Sequence, residues 1–179
     1  MQIDPGELQG ILLTAQLMCV SARTAPKTRG QDYVSTRIIS GKDLERLADA
    51  MVEMGKASGR PNLERDANNM KKSGAIVLIG LKDSEPAGMN CGTCGFGNCE
   101  ELKKRKGSES NGPVCAWRLV DLGIALGSAA KTASIMNVDN RIMLSLGSMA
   151  KRVGLCNDDV VVGIPLSATG KSIYFDRQR

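Results

Sequence analysis

Four cysteines are spaced so that they could hold one metal centre. Cys91, Cys94, Cys99 and Cys115 follow the pattern C-x2-C-x4-C-x15-C. An iron–sulfur cluster needs thiolates that converge from a backbone able to turn around it. Glycine permits such turning and close approach, and three glycines lie among the first three cysteines: Gly92, Gly95 and Gly97. Cys115 precedes a helical pattern, where the helix dipole favours a thiolate. The spacing therefore predicts one [4Fe–4S] cluster bound by these four thiolates.

Other uses of the cysteines are less consistent with this spacing. Structural zinc sites usually show two C-x2-C pairs, and only the first half of the segment has that form. Disulfides are disfavoured by the cytoplasmic location that we expect and by a length above that of small secreted scaffolds. The remaining cysteines stand apart: Cys19 is predicted to be a small buried hydrophobe on a helix, and Cys156 lies in a predicted turn and is assigned no role.

Composition excludes several kinds of chemistry. The 179 residues contain no histidine, which excludes His-ligated zinc, Ser-His-Asp and Cys-His catalysis. The net charge is +5, and much of the excess lies at Lys103–Lys106 and at Lys171, Arg177 and Arg179. A nucleic-acid surface is not predicted, because aromatic residues that could stack on bases make up only 3%. Docking of an acidic electron-transfer partner stays open.

No membrane span or secretory signal is expected. The longest apolar stretch, 122–130, is far shorter than the roughly 20 residues that a bilayer crossing needs. The first residues lack the basic and apolar regions of a signal peptide. We therefore expect a cytoplasmic protein of one domain, 1–179, with an embedded cluster-binding segment at 88–116.

Hydrophobic periodicity predicts an α+β fold with helices flanking a sheet. A continuous apolar run at 75–81 is typical of a central strand covered on both faces. A short basic helix should follow the first three cysteines. The other predicted helices are 6–21, 42–56, 62–72, 114–137 and 140–153, and the other predicted strands are 33–39 and 159–164.

Three further patterns have alternative interpretations. The loop with Arg23, Lys27 and Arg29 could hold a phosphate or be an ordinary basic surface loop. The pair Gly123 and Gly127 could mark a tight helix crossing in the core or a subunit interface. In the same helix, Arg118 and Asp121 have the i, i+3 spacing of an ion pair.

The segment from Asn90 to Cys115 resembles the small [4Fe–4S] domain of corrinoid iron–sulfur proteins and of ferredoxin-like subunits of membrane electron-transport complexes. Its pattern is N-C-G-x-C-G-[FY]-x-x-C with a distant fourth cysteine, and all of these positions are present. The whole chain resembles a "ferredoxin domain-containing protein" family of anaerobic microbes. The phrase Ala-Arg-Thr-Ala-Pro-Lys at 22–27 is typical of that family.

The order of elements is similar to the nitroreductase fold, a mixed sheet flanked by helices in a dimer that binds FMN at the subunit interface. Here the cysteine segment would be an insertion over the flavin. The resemblance implies flavin contacts from the first loop at Arg23, Ala25, Pro26 and Lys27. It also implies contacts from the last strand and the residues after it, at Gly163, Pro165 and Lys171.

Two functions follow as hypotheses. In the first, the cluster relays single electrons to FMN in a homodimer or to a redox partner protein, and Phe96 and Trp117 shield it from water. In the second, the cluster or a zinc ion staples the loop to the following helix in a non-enzymatic sensor or interaction protein. Substrate, partner and potential are not specified by the sequence.

Overall fold

The computed structural model describes residues 3–103 and 112–175. The predicted basic residues at 104–106, Arg177 and Arg179 lie outside these ranges. The α-helices are α1 (Pro5–Thr24), α2 (Gly41–Ser58), α3 (Pro61–Met70), α4 (Cys99–Lys103), α5 (Ala116–Ile135) and α6 (Leu144–Arg152). The strands are β1 (Val34–Ile39), β2 (Ala75–Leu81), β3 (Asp139–Asn140) and β4 (Val160–Ser167). A single 3-10 turn covers Thr28–Gly30.

Helix α1 begins where its sequence satisfies the first free backbone groups. The Asp4 carboxylate accepts the Gly6 backbone N–H at 2.8 Å, and the Glu7 carboxylate accepts the Asp4 N–H at 3.2 Å. Pro5 occupies the first turn, where a missing N–H costs nothing. This reciprocal cap stabilises the helix start.

The sheet has the strand order β1-β2-β4-β3, and every pairing among the described strands is antiparallel. The α+β architecture with flanking helices is confirmed, while the mixed sheet expected from the sequence is antiparallel here. Two helices, α2 and α3, lie between β1 and β2, and the chain enters β2 at the same end of the sheet at which it leaves β1, since Ile39 pairs with Ile76. Strand β2 is central and fully buried, as its continuous apolar run predicts.

Each face of the sheet is covered by its own helices. Helices α1 and α5 pack on one face, around Ile11, Met18 and Leu126, and α2, α3 and α6 pack on the other, around Leu47, Met70 and Leu146. The two thiols outside the cysteine segment are half-buried at the rims of these cores, Cys19 on the first and Cys156 on the second. Burial raises the pKa of both thiols.

The two glycines of α5 lie on the solvent-exposed side of the helix. Gly123 and Gly127 are exposed, and a Cβ placed on either would meet nothing within 4 Å. The interpretation as a tight helix crossing in the core is therefore wrong, and the interpretation as a subunit interface stays a prediction. The predicted ion pair of the same helix is present, with Arg118 Nη1 at 3.2 Å from Asp121 Oδ2.

The predicted helix 140–153 begins later, at Leu144. Asp139 and Asn140 pair instead with β4, and Met143 exchanges two backbone hydrogen bonds with Gly163. These pairings hold the chain extended until α6 can start. Helix α6 then passes very close to β4, because a Cβ on Gly147 would lie 1.7 Å from the Val161 carbonyl oxygen.

Candidate metal centre

All four predicted thiol ligands line one cavity. Cys91 and Cys94 reach it from the loop before α4, Cys99 from the first residue of α4, and Cys115 from the start of α5. Within the described ranges, no three His, Cys, Asp or Glu side chains lie close enough to hold a metal ion as placed. The thiols are thus neighbours around a common space. Four soft sulfur donors fit an iron–sulfur cluster or zinc by their chemistry.

The cysteine loop is closed by its own backbone and side chains. Asn90, Gly92 and Gly95 have positive φ values of 48°, 71° and 86°, a region that glycine and asparagine adopt most readily. The Gly95 N–H donates to the Gly92 carbonyl at 2.8 Å. The Asn90 side-chain oxygen accepts the Cys99 N–H at 2.9 Å, which ties the two ends of the loop together.

A carboxylate supports the second half of this loop. One oxygen of Glu101 accepts the Gly97 N–H at 3.2 Å, and the other accepts the Asn98 side-chain amide at 2.9 Å. The Asn98 oxygen in turn accepts the Glu101 N–H at 3.0 Å. This reciprocal arrangement fixes the start of α4, and with it the position of Cys99.

Cys115 occupies the N-cap position of α5 and is 7% exposed. Its carbonyl accepts the N–H groups of Arg118 and Leu119. The fourth candidate ligand is therefore held at the start of a long helix, whereas Cys91 and Cys94 lie on the loop and Cys99 begins the short helix α4.

The cavity wall contains a hydrogen-bonded, exposed thiol as well as apolar residues. The Thr93 hydroxyl donates to Cys91 Sγ at 3.2 Å. Hydrogen bonds from Thr93, and then one from Trp117, lower the pKa of the exposed Cys91 thiol. Phe96 packs against a small apolar cluster that includes Cys94 and Cys115. Trp117 lines the cavity and keeps 37% of its surface exposed.

The cations of the first predicted flavin loop have partners within the chain. Arg23 Nη1 lies 2.5 Å from Asp32 and donates to the Val34 carbonyl at 2.6 Å. Lys27 Nζ lies 3.7 Å from Asp32, and its side chain is 5% exposed. It also donates to three carbonyls at the end of α1, those of Ala22, Arg23 and Ala25. Burial alone would raise the pKa of Asp32, but its contacts with Arg23, Val34 and Lys27 lower it.

The second predicted flavin set lies elsewhere in the chain. Gly163 is within β4 and faces Leu146 of α6, because a Cβ there would lie 2.5 Å from the Leu146 Cβ. Pro165 is buried in the same strand, and Lys171 is exposed beyond it. Ala25 belongs to the core on the opposite face of the sheet. The fold of one chain does not bring the two sets together.

A second cleft, of about 590 Å³, lies beside the outer edge of β4 and was not found from the sequence. It is bounded by the start of α3, the first turns of α5, and α6. The larger part of its lining is apolar, and its charged members are two cations and a carboxylate: Leu119, Leu122, Leu144, Val160, Arg60, Lys151 and Asp159. No local pattern marks it, because its residues come from four separated parts of the sequence.

Sequence relatives identify the family. A protein described as "Uncharacterized protein" from Archaeoglobus fulgidus is 47% identical over 171 residues, covering 94% of this chain and 92% of that protein. Residues 111–177 match the family model "Uncharacterized protein containing a ferredoxin domain (DUF2148)". The chain belongs to this ferredoxin-domain family. The family resemblance seen in the sequence is thereby confirmed.

Solved structures similar to this ferredoxin-domain chain have the nitroreductase fold. The FMN-dependent nitroreductase NfnB from Mycobacterium smegmatis is 13% identical with a TM-score of 0.57, covering 93% of this chain and 82% of that one. A nitroreductase with bound FMN from Desulfitobacterium hafniense DCB-2 is 14% identical with a TM-score of 0.55, covering 95% and 81%. The NADPH:FMN oxidoreductase from Vibrio harveyi is 10% identical with a TM-score of 0.56, covering 96% and 63%. The chain thus spans less than two thirds of the Vibrio harveyi enzyme. At these identities the likeness establishes the fold class, which is the one predicted.

Within the described ranges, no helix combines the length and apolar character required to cross a membrane.

Proposed function

We propose that this chain is a redox protein that carries one [4Fe–4S] cluster on Cys91, Cys94, Cys99 and Cys115. The observation that carries the proposal is that four thiols from two separated segments line one cavity. When bound, such a cluster exchanges single electrons. The proposal keeps 1–179 as one domain with 88–116 as the cluster-binding segment. The redox role agrees with the ferredoxin-domain family and with the fold.

The surrounding residues have separate tasks in this proposal. Asn90 and Glu101 hold the loop in its turned conformation, so that its thiols face the cavity. Phe96 and Trp117 reduce access of water on the apolar side, and exposure of a cluster to solvent is one determinant of its potential. The N-terminus of α5 stabilises the negative charge of the fourth thiolate.

We further propose that the cleft beside β4 holds a flavin. Its volume of about 590 Å³ lies within the roughly 300–1,000 Å³ of small-molecule sites, which are also mostly apolar with few polar groups. Similar structures include one with bound FMN. Trp117 lines the cysteine cavity and Leu119 lines the cleft, so both spaces adjoin the first turns of α5, on different sides of the helix because residues two apart are turned by about 200°. Helix α5 would therefore lie between the cluster and the flavin.

A homodimer would complete this arrangement. The outward face of α1 and α5 carries five apolar residues that are 38% to 58% exposed. Exposed apolar patches mark interaction sites. Its members are Leu13, Leu17, Val20, Val120 and Ile124. The loop of Arg23, Ala25, Pro26 and Lys27 follows α1 at the end of this face. We propose that a second copy covers the face and brings this loop toward a flavin in the other subunit. On the strand side the cleft is lined by Val160, Val161 and Val162, next to the expected contact Gly163, and it does not include Pro165 or Lys171.

The dimer proposal predicts that a charge on this face separates the subunits. Val120→Asp places a carboxylate in the apolar face and is expected to give a monomer in analytical ultracentrifugation, because an unpaired charge is costly to bury. The matched control is Ile142→Asp, which is similarly exposed at 44% but lies outside both helices. A wild-type chain that sediments as a monomer, or a Val120→Asp variant that remains dimeric, would contradict the proposal.

A structural role for the metal is the second candidate. Among the described residues, the apolar cluster beneath the cysteine loop has three buried members, Ala87, Leu102 and Cys115, so a bound metal could supply much of the folding free energy of this segment. In that case the cluster or a zinc ion staples the loop to α5 without exchanging electrons.

Anaerobic purification distinguishes these functions. We expect a brown protein with about four iron and four sulfide per chain, whose visible absorbance bleaches with dithionite, and a flavin released on denaturation. A brown protein without flavin would remove the second cofactor from the proposal. A brown protein that does not bleach would favour the structural role. A colourless protein with one zinc per chain would overturn the cluster itself.

A further inference from the structure

A charged pair is fully buried close to the candidate metal centre. The Arg118 side chain is 1% exposed and that of Asp121 is 4% exposed, with 3.2 Å between Nη1 and Oδ2. Removing two charges from water costs several kcal/mol per ion, and a well-packed apolar pair is often as stable or more so. The attraction between the two charges is therefore not a sufficient reason for these residues, and the groups that they hold in place are informative.

The Arg118 side chain donates hydrogen bonds to acceptors from several parts of the chain. Its Nε donates to the Glu85 carbonyl at 2.9 Å, and its Nη1 donates to the Thr28 carbonyl at 3.1 Å. Its Nη2 donates to the Gln31 side chain. The guanidinium also lies over the Tyr33 ring, 4.6 Å from the centroid. Only a planar fork with five donors can serve all of these groups at once.

The aspartate binds the same turn from the other side. Its Oδ1 accepts the Thr28 backbone N–H at 2.7 Å and the Thr28 hydroxyl at 2.8 Å. The adjacent Arg29, in a left-handed conformation with φ 58°, donates from Nη1 to the Ala87 carbonyl at 3.1 Å. Two carbonyls of the segment that leads into the cysteine loop, Glu85 and Ala87, are thus each held by a guanidinium.

This network joins the two sources of thiols. The segment 84–88 precedes the loop with the first three cysteines, and Ala87 itself lines their cavity. Arg118 lies one turn after Cys115, and its backbone N–H donates to the Cys115 carbonyl at 3.0 Å. The start of the segment is held independently, because Asp159 accepts both the backbone N–H and the hydroxyl of Ser84.

We propose that Arg118 and Asp121 are positioning residues that set the cysteine loop against Cys115, so that retention of the bound cluster depends on them. The inference rests on the proposed function, since it concerns the metal that the four thiols hold. It predicts that folding and cluster retention respond differently to the same substitution. Partners of this kind, one shell beyond the ligands, typically change metal affinity by about 10- to 100-fold.

The test uses an apolar replacement of the pair, Arg118→Met with Asp121→Leu, in the full chain loaded anaerobically with iron and sulfide. The rate of iron release to a chelator is followed by absorbance, and the unfolding midpoint of the metal-free chain is measured in denaturant. We expect a folded metal-free chain with a somewhat lower midpoint, because Thr28 and Glu85 lose hydrogen-bond partners, and iron release about 10- to 100-fold faster. Arg118→Lys keeps a charge but not the planar fork of donors. We expect its iron-release rate to lie between those of wild type and the double variant.

The matched control replaces an exposed pair far from the cysteines, Lys71→Met with Asp49→Leu, whose side chains are 46% and 64% exposed. It should release iron at the wild-type rate. A folded Arg118/Asp121 double variant that also releases iron at the wild-type rate would overturn the inference.

The proposed function and the inference can fail separately. If the wild-type chain takes up zinc but no iron, the cluster proposal is wrong, and the same chelator experiment on the zinc-loaded chain tests the positioning role alone. If wild type takes up neither metal, both proposals are wrong. If the double variant does not fold, Arg118→Lys provides the test, because it keeps a charge beside Asp121 and loses the fork that also reaches Glu85. Iron release at the wild-type rate in that folded variant would overturn the inference.

Discussion

Replacing Cys94 with Ala is expected to leave the purified chain without iron–sulfur absorbance. Cys94 is half-buried, lines the cavity and packs in the small apolar cluster with Cys115. Neither the chain nor solvent offers a second thiolate at that position, and an alanine cannot ligate iron. We expect less than about a tenth of the wild-type iron after anaerobic reconstitution, because a cluster of this kind is held by four thiolates. Iron and sulfide analysis with visible spectroscopy measures the result.

The other two cysteines provide the control. Cys19 and Cys156 lie at the rims of the two cores, away from the cavity, so Cys19→Ala and Cys156→Ala should keep the wild-type iron content. The metal-free Cys94→Ala chain should retain its helical circular dichroism, because the two main cores do not include this residue. Full iron content in Cys94→Ala would refute the ligand assignment.

Gly147→Ala is expected to destabilise the protein strongly. The added methyl group would lie 1.7 Å from the Val161 carbonyl oxygen and 2.4 Å from its carbon, and backbone atoms of a central sheet cannot move aside easily. Overpacking of this kind costs about 1–3 kcal/mol and sometimes more. We expect a loss of at least about 3 kcal/mol in the free energy of unfolding, despite the helix propensity that alanine gains over glycine. Denaturant titration of the metal-free chain measures it.

Gly10→Ala is the matched control, since it also lies inside a helix but has open space around it. It should stabilise the chain by up to about 1 kcal/mol. A Gly147→Ala variant as stable as Gly10→Ala would show that α6 does not pack against β4 at this distance. Because α6 contributes Leu144 and Lys151 to the second cleft, the same substitution should also reduce flavin content if the cleft holds a flavin.

Local sequence determined the features that depend on neighbouring residues. The reciprocal cap at Asp4 and Glu7 starts α1, and the unbroken apolar run of β2 places that strand at the centre of the sheet. The cysteine spacing with its glycines predicted which thiols share a cavity. These features are readable because backbone conformation and side-chain periodicity act over a few residues.

Patterns of charged residues and glycines did not show which of these residues are buried, and their roles in the fold depend on burial. The i, i+3 spacing of Arg118 and Asp121 predicted a pair, but not that it is buried and bound to two distant segments. Lys27 was compatible with a phosphate ligand or with an ordinary basic surface loop, and in the fold its side chain is 5% exposed and caps the end of α1. Gly123 and Gly127 read equally well as core or interface, whereas Gly147, which makes the closest backbone approach, carries no local signal.

The sequence by itself determined the α+β class, nearly all of the elements and the set of candidate metal ligands. Only the tertiary structure decided the short strand β3, the outward face of α5, the cleft beside β4 and the anchoring of the cysteine loop by Arg118. The physical reason is that each of the latter depends on atoms brought together from residues far apart in the chain, such as Gly147 with Val161 or Arg118 with Glu85. Residue spacing along the sequence does not show how closely such atoms approach each other, because the packing of the two cores sets that distance.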